Sequence, residues 1–290
     1  MKSVKKILAT LVVGSLLLVG LVGCGNSGES KNNVSKSTTG NSIEEIKKRG
    51  VIKIGVFADK PPFGYVDSNG KNQGYDVYIA KRFAKDLLGD ESKVQFVLVD
   101  AASRVAYLES KKVDIIMANF TVTDERKEKV DFANPYMKLS LGIVSPKNEK
   151  ITSIDQLKGK KVIVAKGTTA ETYFTKNYPD IELLKFDQYT EIFGALKDKR
   201  GAAIANDNTE LIAWAKSNPE FVVGMPTVGG QDTIAPAVAK GNKELLNWIN
   251  SEIETLGKEN FMHKAYEETL KNVYGENFEN DLVVEGGKLK

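Results

Sequence analysis

From residue 51 onward the chain alternates β-rich runs with helical stripes, and this alternation restricts its fold more than any other feature. Residues 51–57 are β-rich, Asp67-Ser68-Asn69-Gly70 is a turn signal, and residues 76–88 carry an apolar stripe at Val77, Ile79, Ala80, Phe83, Ala84 and Leu87. Residues 94–99 then read as a strand, 102–110 as a helix and 113–118 as a strand. A βαβ rhythm of this kind implies an α/β fold with a largely parallel sheet covered by helices on both faces. After the break at Pro146-Lys147-Asn148 the rhythm restarts, with strands at 161–165, 182–186 and 202–206 and helices at 170–177, 189–198 and 208–217. A second α/β unit therefore begins near residue 147. Residues 233–238 read as a strand before two helices, 243–259 and 261–270, too little for a third domain. The chain is expected to return to the first unit, leaving two connections between two lobes.

Order is expected from Ser42, an N-cap with Glu45 at N3, in a helix that stops at Gly50. What precedes it reads as a targeting segment. A basic start is followed by an uncharged apolar run, residues 7–22, and by Leu21-Val22-Gly23-Cys24, the pattern of an export signal. Small residues just before a cysteine resemble a lipoprotein signal, so residues 1–23 are expected to be removed and Cys24 to carry lipid. An exported chain with one cysteine has no partner for an internal disulfide, and an anchor gives that thiol a use. Residues 24–41, rich in Gly, Ser, Asn, Thr and Lys, read as a flexible tether. Lys2, Lys5 and Lys6 of the leader account for the whole formal charge of +3, so the body is neutral and nothing points to nucleic acid.

With a single histidine, His263, and a single cysteine, a histidine-dependent triad or a zinc site has little to draw on. His263 reads as a helix-surface residue. Arginine is rare, at positions 49, 82, 104, 126 and 200 only, and a chain that charges its surface with lysine keeps arginine for its bidentate fork. Arg126 follows Thr121-Val122-Thr123-Asp124-Glu125 past the carboxyl end of a strand, where open α/β sheets bind ligands; the plain alternative is a solvated charge run. Lys166-Gly167-Thr168-Thr169 joins a strand to a helix and would aim hydroxyls and free N–H groups at an anion, unless it is an ordinary loop. Asp207, in Asn206-Asp207-Asn208, puts a carboxylate at the same edge or caps the next helix. Together these groups would match a zwitterion. The aromatic run around Phe57, Phe63 and Tyr65 either walls a ligand or packs in the core.

Several motifs resemble the polar-amino-acid family of solute-binding proteins of ABC importers: Gly55-Val56-Phe57 with Pro61-Pro62-Phe63, Gly74-Tyr75-Asp76-Val77, Thr121 to Arg126 followed by Val130-Asp131-Phe132, Asn134-Pro135-Tyr136, and Lys166-Gly167-Thr168-Thr169. Ala118-Asn119-Phe120-Thr121, Tyr136-Met137-Lys138, Asp207-Asn208-Thr209, Phe261-Met262-His263-Lys264-Ala265-Tyr266 and Val284-Glu285-Gly286-Gly287 are similar to its cysteine-binding lipoproteins. The resemblance implies a two-lobed clamp of the periplasmic-binding-protein type II class with two crossover strands as hinge. Lobe 1 would be 42–144 plus 236–290 and lobe 2 would be 145–235, with hinges near 143–145 and 234–237. It further implies that Arg126, helped by Thr121, Thr168 and Thr169, holds the carboxylate of an amino acid and that Asp207 and Asn119 take its ammonium. Arg104, on the sequence alone a helix-surface residue, would reach the ligand's carboxylate or side chain. Phe57 stands where receptors for cationic amino acids carry an acid, and Tyr78 where the family favours an acid. The resulting expectation is a monomeric, lipid-anchored receptor in the cell envelope without cofactor, metal or catalysis, binding cysteine or cystine and docking on a permease with its ATPase. An aspartate or glutamate receptor is the alternative, and a cyclohexadienyl dehydratase-like enzyme or an adhesin a more remote one.

Overall fold

The computed structural model describes residues 41–289; the leader, Cys24 and the tether up to residue 40 lie outside them. The first strands are β1 (Ile52–Val56), β2 (Asp59–Lys60), β3 (Gly64–Val66), β4 (Asn72–Gln73), β5 (Val94–Leu98), β6 (Ile115–Ile116), β7 (Val130–Phe132) and β8 (Met137–Pro146). They are followed by β9 (Lys161–Ala165), β10 (Glu182–Phe186), β11 (Ala203–Asp207), β12 (Phe221–Ile234) and β13 (Ala237–Ala239). The helices are α1 (Ile43–Arg49), α2 (Tyr75–Leu88), α3 (Arg104–Glu109), α4 (Asp124–Lys127), α5 (Thr169–Asn177), α6 (Tyr189–Lys197), α7 (Asn208–Ser217), α8 (Lys243–Lys258), α9 (Phe261–Thr269), α10 (Lys271–Tyr274) and α11 (Glu279–Leu282).

Two five-stranded sheets repeat one plan. In the first, ordered β5-β1-β6-β13-β7, β1 runs parallel to β5 and β6, and β13 is antiparallel to β6 and β7. In the second, ordered β10-β9-β11-β8-β12, β9 runs parallel to β10 and β11, and β8 is antiparallel to β11 and β12. A small antiparallel sheet, β2-β3-β4, folds the loop after β1. The result is the expected α/β architecture of two lobes, each a mixed sheet flanked by helices.

The connection between lobes is β8 paired with β12, from Met137↔Ile234 at one end to Pro146↔Phe221 at the other, with three register shifts on the β12 side. The two crossover strands implied by the resemblance are present, but their full length was not foreseen, because Gly142, Gly224, Pro226, Gly229 and Gly230 interrupt their β signal. Two other expectations are corrected by local geometry. The strand expected at 113–118 pairs only at Ile115 and Ile116, and Asn119 turns the chain away with φ +44°. The strand expected at 233–238 breaks at Ala235-Pro236, since proline has no N–H for the ladder.

Helices form where the sequence caps and stripes them. Ser42 and Glu45 make a reciprocal capping box on α1, which ends on left-handed Gly50. α2 buries Val77, Ile79, Ala80, Phe83, Ala84 and Leu87, and α8 buries Leu245, Ile249, Ile253 and Leu256 against the same core. Half-buried Trp248 packs against that core, edge-on to Phe83. A second apolar cluster runs from Phe57, Ile116 and Phe120 to Ile163, Tyr189 and Ile204, so apolar packing is continuous from one lobe into the other. His263 is half-buried, with Nδ1 2.6 Å from Glu285 Oε2, and tethers the C-terminal turn rather than lying free on a helix surface. No helix among the described residues is long and apolar enough to cross a membrane.

Candidate functional site

Two guanidinium groups meet where the carboxyl end of the first sheet faces the loop after β9. Thr123 caps α4 by accepting the Arg126 N–H at 3.2 Å, and this short helix presents the Arg126 side chain. Arg126 Nη1 donates to Thr121 O at 2.7 Å and Nη2 to Gly167 O at 2.9 Å. Arg104 is only 2% exposed, which corrects the helix-surface reading: it opens α3 against the end of the sheet. Its Nε donates to Ala101 O at 2.9 Å, Nη1 to Ala118 O and Asn119 O at 3.0 and 3.3 Å, and Nη2 to Gly167 O at 3.2 Å. Phe120 offers its ring to both, with the Arg104 Cζ at 4.3 Å and the Arg126 Cζ at 4.7 Å from its centre. Among the described residues every acceptor of these guanidiniums is a neutral carbonyl. Burial lowers the pKa of both arginines, and the charge of Arg104 adds to the effect on Arg126. Buried Arg104 and half-buried Arg126, with no ion pair among the described residues, are arranged as the receipt of an anion would require.

Gly167, from the second lobe, is the point that both arginines of the first lobe reach. Its φ is +74°, and a Cβ there would lie 2.5 Å from Ala102 Cα, so only glycine allows the approach. Of the adjoining hydroxyls, Thr168 is consumed in capping α5, accepting from Glu171 N and donating to Ala165 O at 2.7 Å. Thr169 instead lines a cavity of about 530 Å³ together with Arg126, Leu141, Tyr173 and Asp232. Thr121 is buried and contributes its carbonyl to Arg126.

The opposite charge lies at the end of β11. Asp207 occupies the N-cap position of α7 but makes no side-chain cap bond. Its Oδ2 is 2.5 Å from Lys60 Nζ. Lys60, on β2 of the first lobe, is fully buried, with Asn119 Oδ1 at 3.4 Å, Tyr189 OH at 3.3 Å and Glu210 Oε2 at 3.5 Å. Burial alone would lower the Lys60 pKa, but Asp207, Tyr189 and Glu210 outweigh it and hold the group above its ordinary range. Burial pushes Glu210 up to about 8; its Oε2 accepts from Asn206 Nδ2, while its Oε1 and Asn119 Nδ2 have no hydrogen-bond partner among the described residues. Sequence reasoning missed both residues. Glu210 stands at i+3 from Asp207, on the same helical face, and Lys60 stands inside the aromatic loop already singled out.

Asn119 joins the two charged groups. Its side chain meets Lys60 and its carbonyl meets Arg104, while its left-handed backbone is held by a bond from its N–H to Asp76 Oδ2 at 2.8 Å. Tyr136 OH donates to the other oxygen of Asp76 at 2.6 Å, and burial raises the Asp76 pKa to about 7. Phe57 is buried edge-on to Tyr189 at 5.2 Å and faces both Lys60 and Arg104. Phe63 and Tyr65 are placed elsewhere. Phe63 belongs to the first core, against Tyr274, because the small sheet folds its loop inward. Tyr65 is half-buried on β3, paired with Asp59 and Gln73. Phe57 thus lies beside the charged groups, and the other two aromatic residues are spent on packing and sheet pairing.

Beyond Lys60 a second cavity of about 690 Å³ separates Pro61, Pro62 and Val273 of the first lobe from Phe193 and Trp214 of the second, which stack at 4.5 Å. Among the described residues no group of three or more His, Cys, Asp or Glu side chains could hold a metal ion.

Residues 52–272 match the family model of bacterial extracellular solute-binding proteins, family 3. The crystal structure of the solute receptors for L-cysteine of Neisseria gonorrhoeae is 59% identical, with a TM-score of 0.83, covering 84% of this chain and 100% of that one. The cysteine-binding protein of Campylobacter jejuni is 58% identical, also with a TM-score of 0.83, over 84% of this chain and 99% of its own. Among curated relatives, the ABC transporter glutamine-binding protein of Bacillus subtilis is 33% identical over 92% of this chain and 98% of its own length.

Proposed function

The chain belongs to the bacterial extracellular solute-binding proteins of family 3, receptors of amino acid ABC importers, and we propose that its ligand is L-cysteine. One observation carries the reading: a guanidinium of the first lobe that has no ion pair among the described residues and a carboxylate of the second are linked through Asn119 and Lys60. In this reading the ligand carboxylate lies on Arg126, with Thr121 and Thr169 beside it, and its ammonium on Asp207 and Asn119. Lys60 engages only Oδ2 of Asp207, which leaves Oδ1 for the ligand. Phe57 walls the pocket, and Arg104 reaches the side chain. The two relatives near 60% identity over most of the chain are both receptors for cysteine, which favours this amino acid over glutamine.

Capture works through closure. Residues 42–144 with 236–290 form one lobe and 145–235 the other, and they close on contacts that exist only when both touch the ligand. The closed form is the one that docks on the permease and its ATPase. The protein acts as a monomer, held at the extracytoplasmic face of the membrane by lipid on Cys24 after removal of residues 1–23. Replacing Cys24 by serine would then move the protein from the membrane fraction to the soluble one.

Calorimetric titration of unfolded and refolded protein, freed of carried-over ligand, tests the specificity with reduced cysteine, cystine, aspartate, glutamate and glutamine. One-to-one saturation by cysteine is the expected result. Tight binding of aspartate or glutamate would keep the receptor and overturn the choice of ligand. Silence toward all five would overturn both.

A further inference from the structure

Lys60, Arg104 and Arg126 gather three cations around the rings of Phe57 and Phe120. The Phe57 ring has Lys60 Nζ and Arg104 Cζ each at 5.5 Å from its centre, and Phe120 touches both guanidiniums. Asn119 accepts from Lys60 through its side chain and from Arg104 through its carbonyl.

The negative side of the cleft is smaller. Asp207 is engaged by Lys60. Burial raises the pKa of Glu210 to about 8, so at neutral pH it is mostly protonated. Asp76, raised to about 7, already serves the Asn119 N–H and the Tyr136 hydroxyl, and burial also raises Asp232 on β12. Burial holds the phenols of Tyr189 and Tyr136 protonated. A neutral carbonyl such as Gly167 O relieves a guanidinium but does not cancel its charge. A zwitterion, with no net charge, would leave the filled pocket as positive as the empty one.

Resting on the cysteine reading above, we propose that the pocket takes cysteine as its thiolate, the thiol proton passing to solvent, and that Lys60 and Arg104 thereby separate cysteine from serine. A free thiol has a pKa of about 8.5, and neighbouring Lys or Arg side chains bring thiols to roughly 3.5–7.5. The hydroxyl of serine has no accessible anion at neutral pH, so isosteric serine gains nothing from the excess charge. Arg126 keeps the ligand carboxylate, and Lys60 and Arg104, which share the Phe57 ring, face the sulfur.

The experiment is calorimetry at neutral pH in two buffers of different ionisation enthalpy, with the ultraviolet absorption of the thiolate read on the same samples. Cysteine binding should release about 0.9 proton or more per site and generate the thiolate band. Its apparent Kd should fall about tenfold per pH unit from roughly pH 6 to 8. Serine should bind at least tenfold more weakly at neutral pH, and Lys60→Met should flatten the pH dependence for cysteine. Saturable cysteine binding without the thiolate band would overturn the proposal and leave the ligand reading standing. Proton release without that band would overturn it too, because the proton would come from a protein group such as Glu210. Failure of cysteine to saturate would remove the ligand reading and this inference together.

Discussion

Lys60→Met removes the ammonium from a buried ion pair while keeping most of the apolar stem. At 2.5 Å and an effective dielectric near 20, the attraction between Lys60 and Asp207 is about 7 kcal/mol. Desolvation of two ions costs several kcal/mol each, so the intact pair contributes little net stability. Deleting one partner is different, because Asp207 then stays buried without its counter-charge, at a cost of about 3 to 5 kcal/mol. With a urea m-value of about 3 kcal/mol/M, the unfolding midpoint of the ligand-free protein should drop by about 1 to 1.7 M. Adding Asp207→Asn should restore part of the loss, with a coupling of about 2 kcal/mol or more in the double-mutant cycle. A loss under about 1 kcal/mol would refute the reasoning: the lobes would then part in solution and the pair would be hydrated.

Three further outcomes follow from the same geometry. Arg126→Ala should weaken ligand binding by about 2 to 5 kcal/mol, roughly 30-fold to several thousand-fold, as truncation of a buried charge pair does; calorimetry within threefold of wild type would sink the assignment. Gly167→Ala forces a side chain into a backbone with φ +74° and against Ala102, so it should lower affinity at least tenfold while leaving each lobe folded. Unchanged affinity would mean that the Gly167–Ala102 approach plays no part in closure. For pH, Glu210 keeps its proton to about 8 in the folded state against 4.5 ordinarily, and Asp76 to about 7 against 3.8. The folded state thus binds more protons across that window, and unfolding free energy should fall as pH rises from about 4.5 to 8. Glu210→Gln should flatten the upper part of that slope, and stability rising over the window would contradict it.

The sequence was legible where one element carries its own signals. Caps, stripes and β-rich runs placed α1, β9, β10 and α7 to within a residue, because Ser42 with Glu45, Gly50 and the run Lys161–Ala165 act locally. Arg126, Asp207 and Thr169 were singled out as candidates at strand ends, and Asn119 through the family resemblance. What stayed hidden depends on distant partners. β8 and β12 reach their full length by pairing with each other across 75 residues or more, and their glycines and Pro226 conceal it. Lys60 looks like a surface lysine until β2 folds it under the loop, where the charge of Asp207 and the oxygens of Tyr189 and Glu210 in the other lobe make its burial tolerable. Arg104 reads as exposed because helical periodicity says nothing about the sheet end beneath the first turn of α3.

The stacked pair Phe193–Trp214 has a practical consequence. The chain has two tryptophans, and they sit in unlike places. Trp248 is half-buried and packed on Phe83 against the first core, whereas Trp214 borders the cavity whose far wall is Pro61, Pro62 and Val273 of the other lobe. Any change in lobe separation alters the solvent around one indole and spares the other. The protein therefore carries its own optical gauge, with Trp214 as the signal and Trp248 as the internal reference, and its opening and closing are readable from native emission without an attached dye.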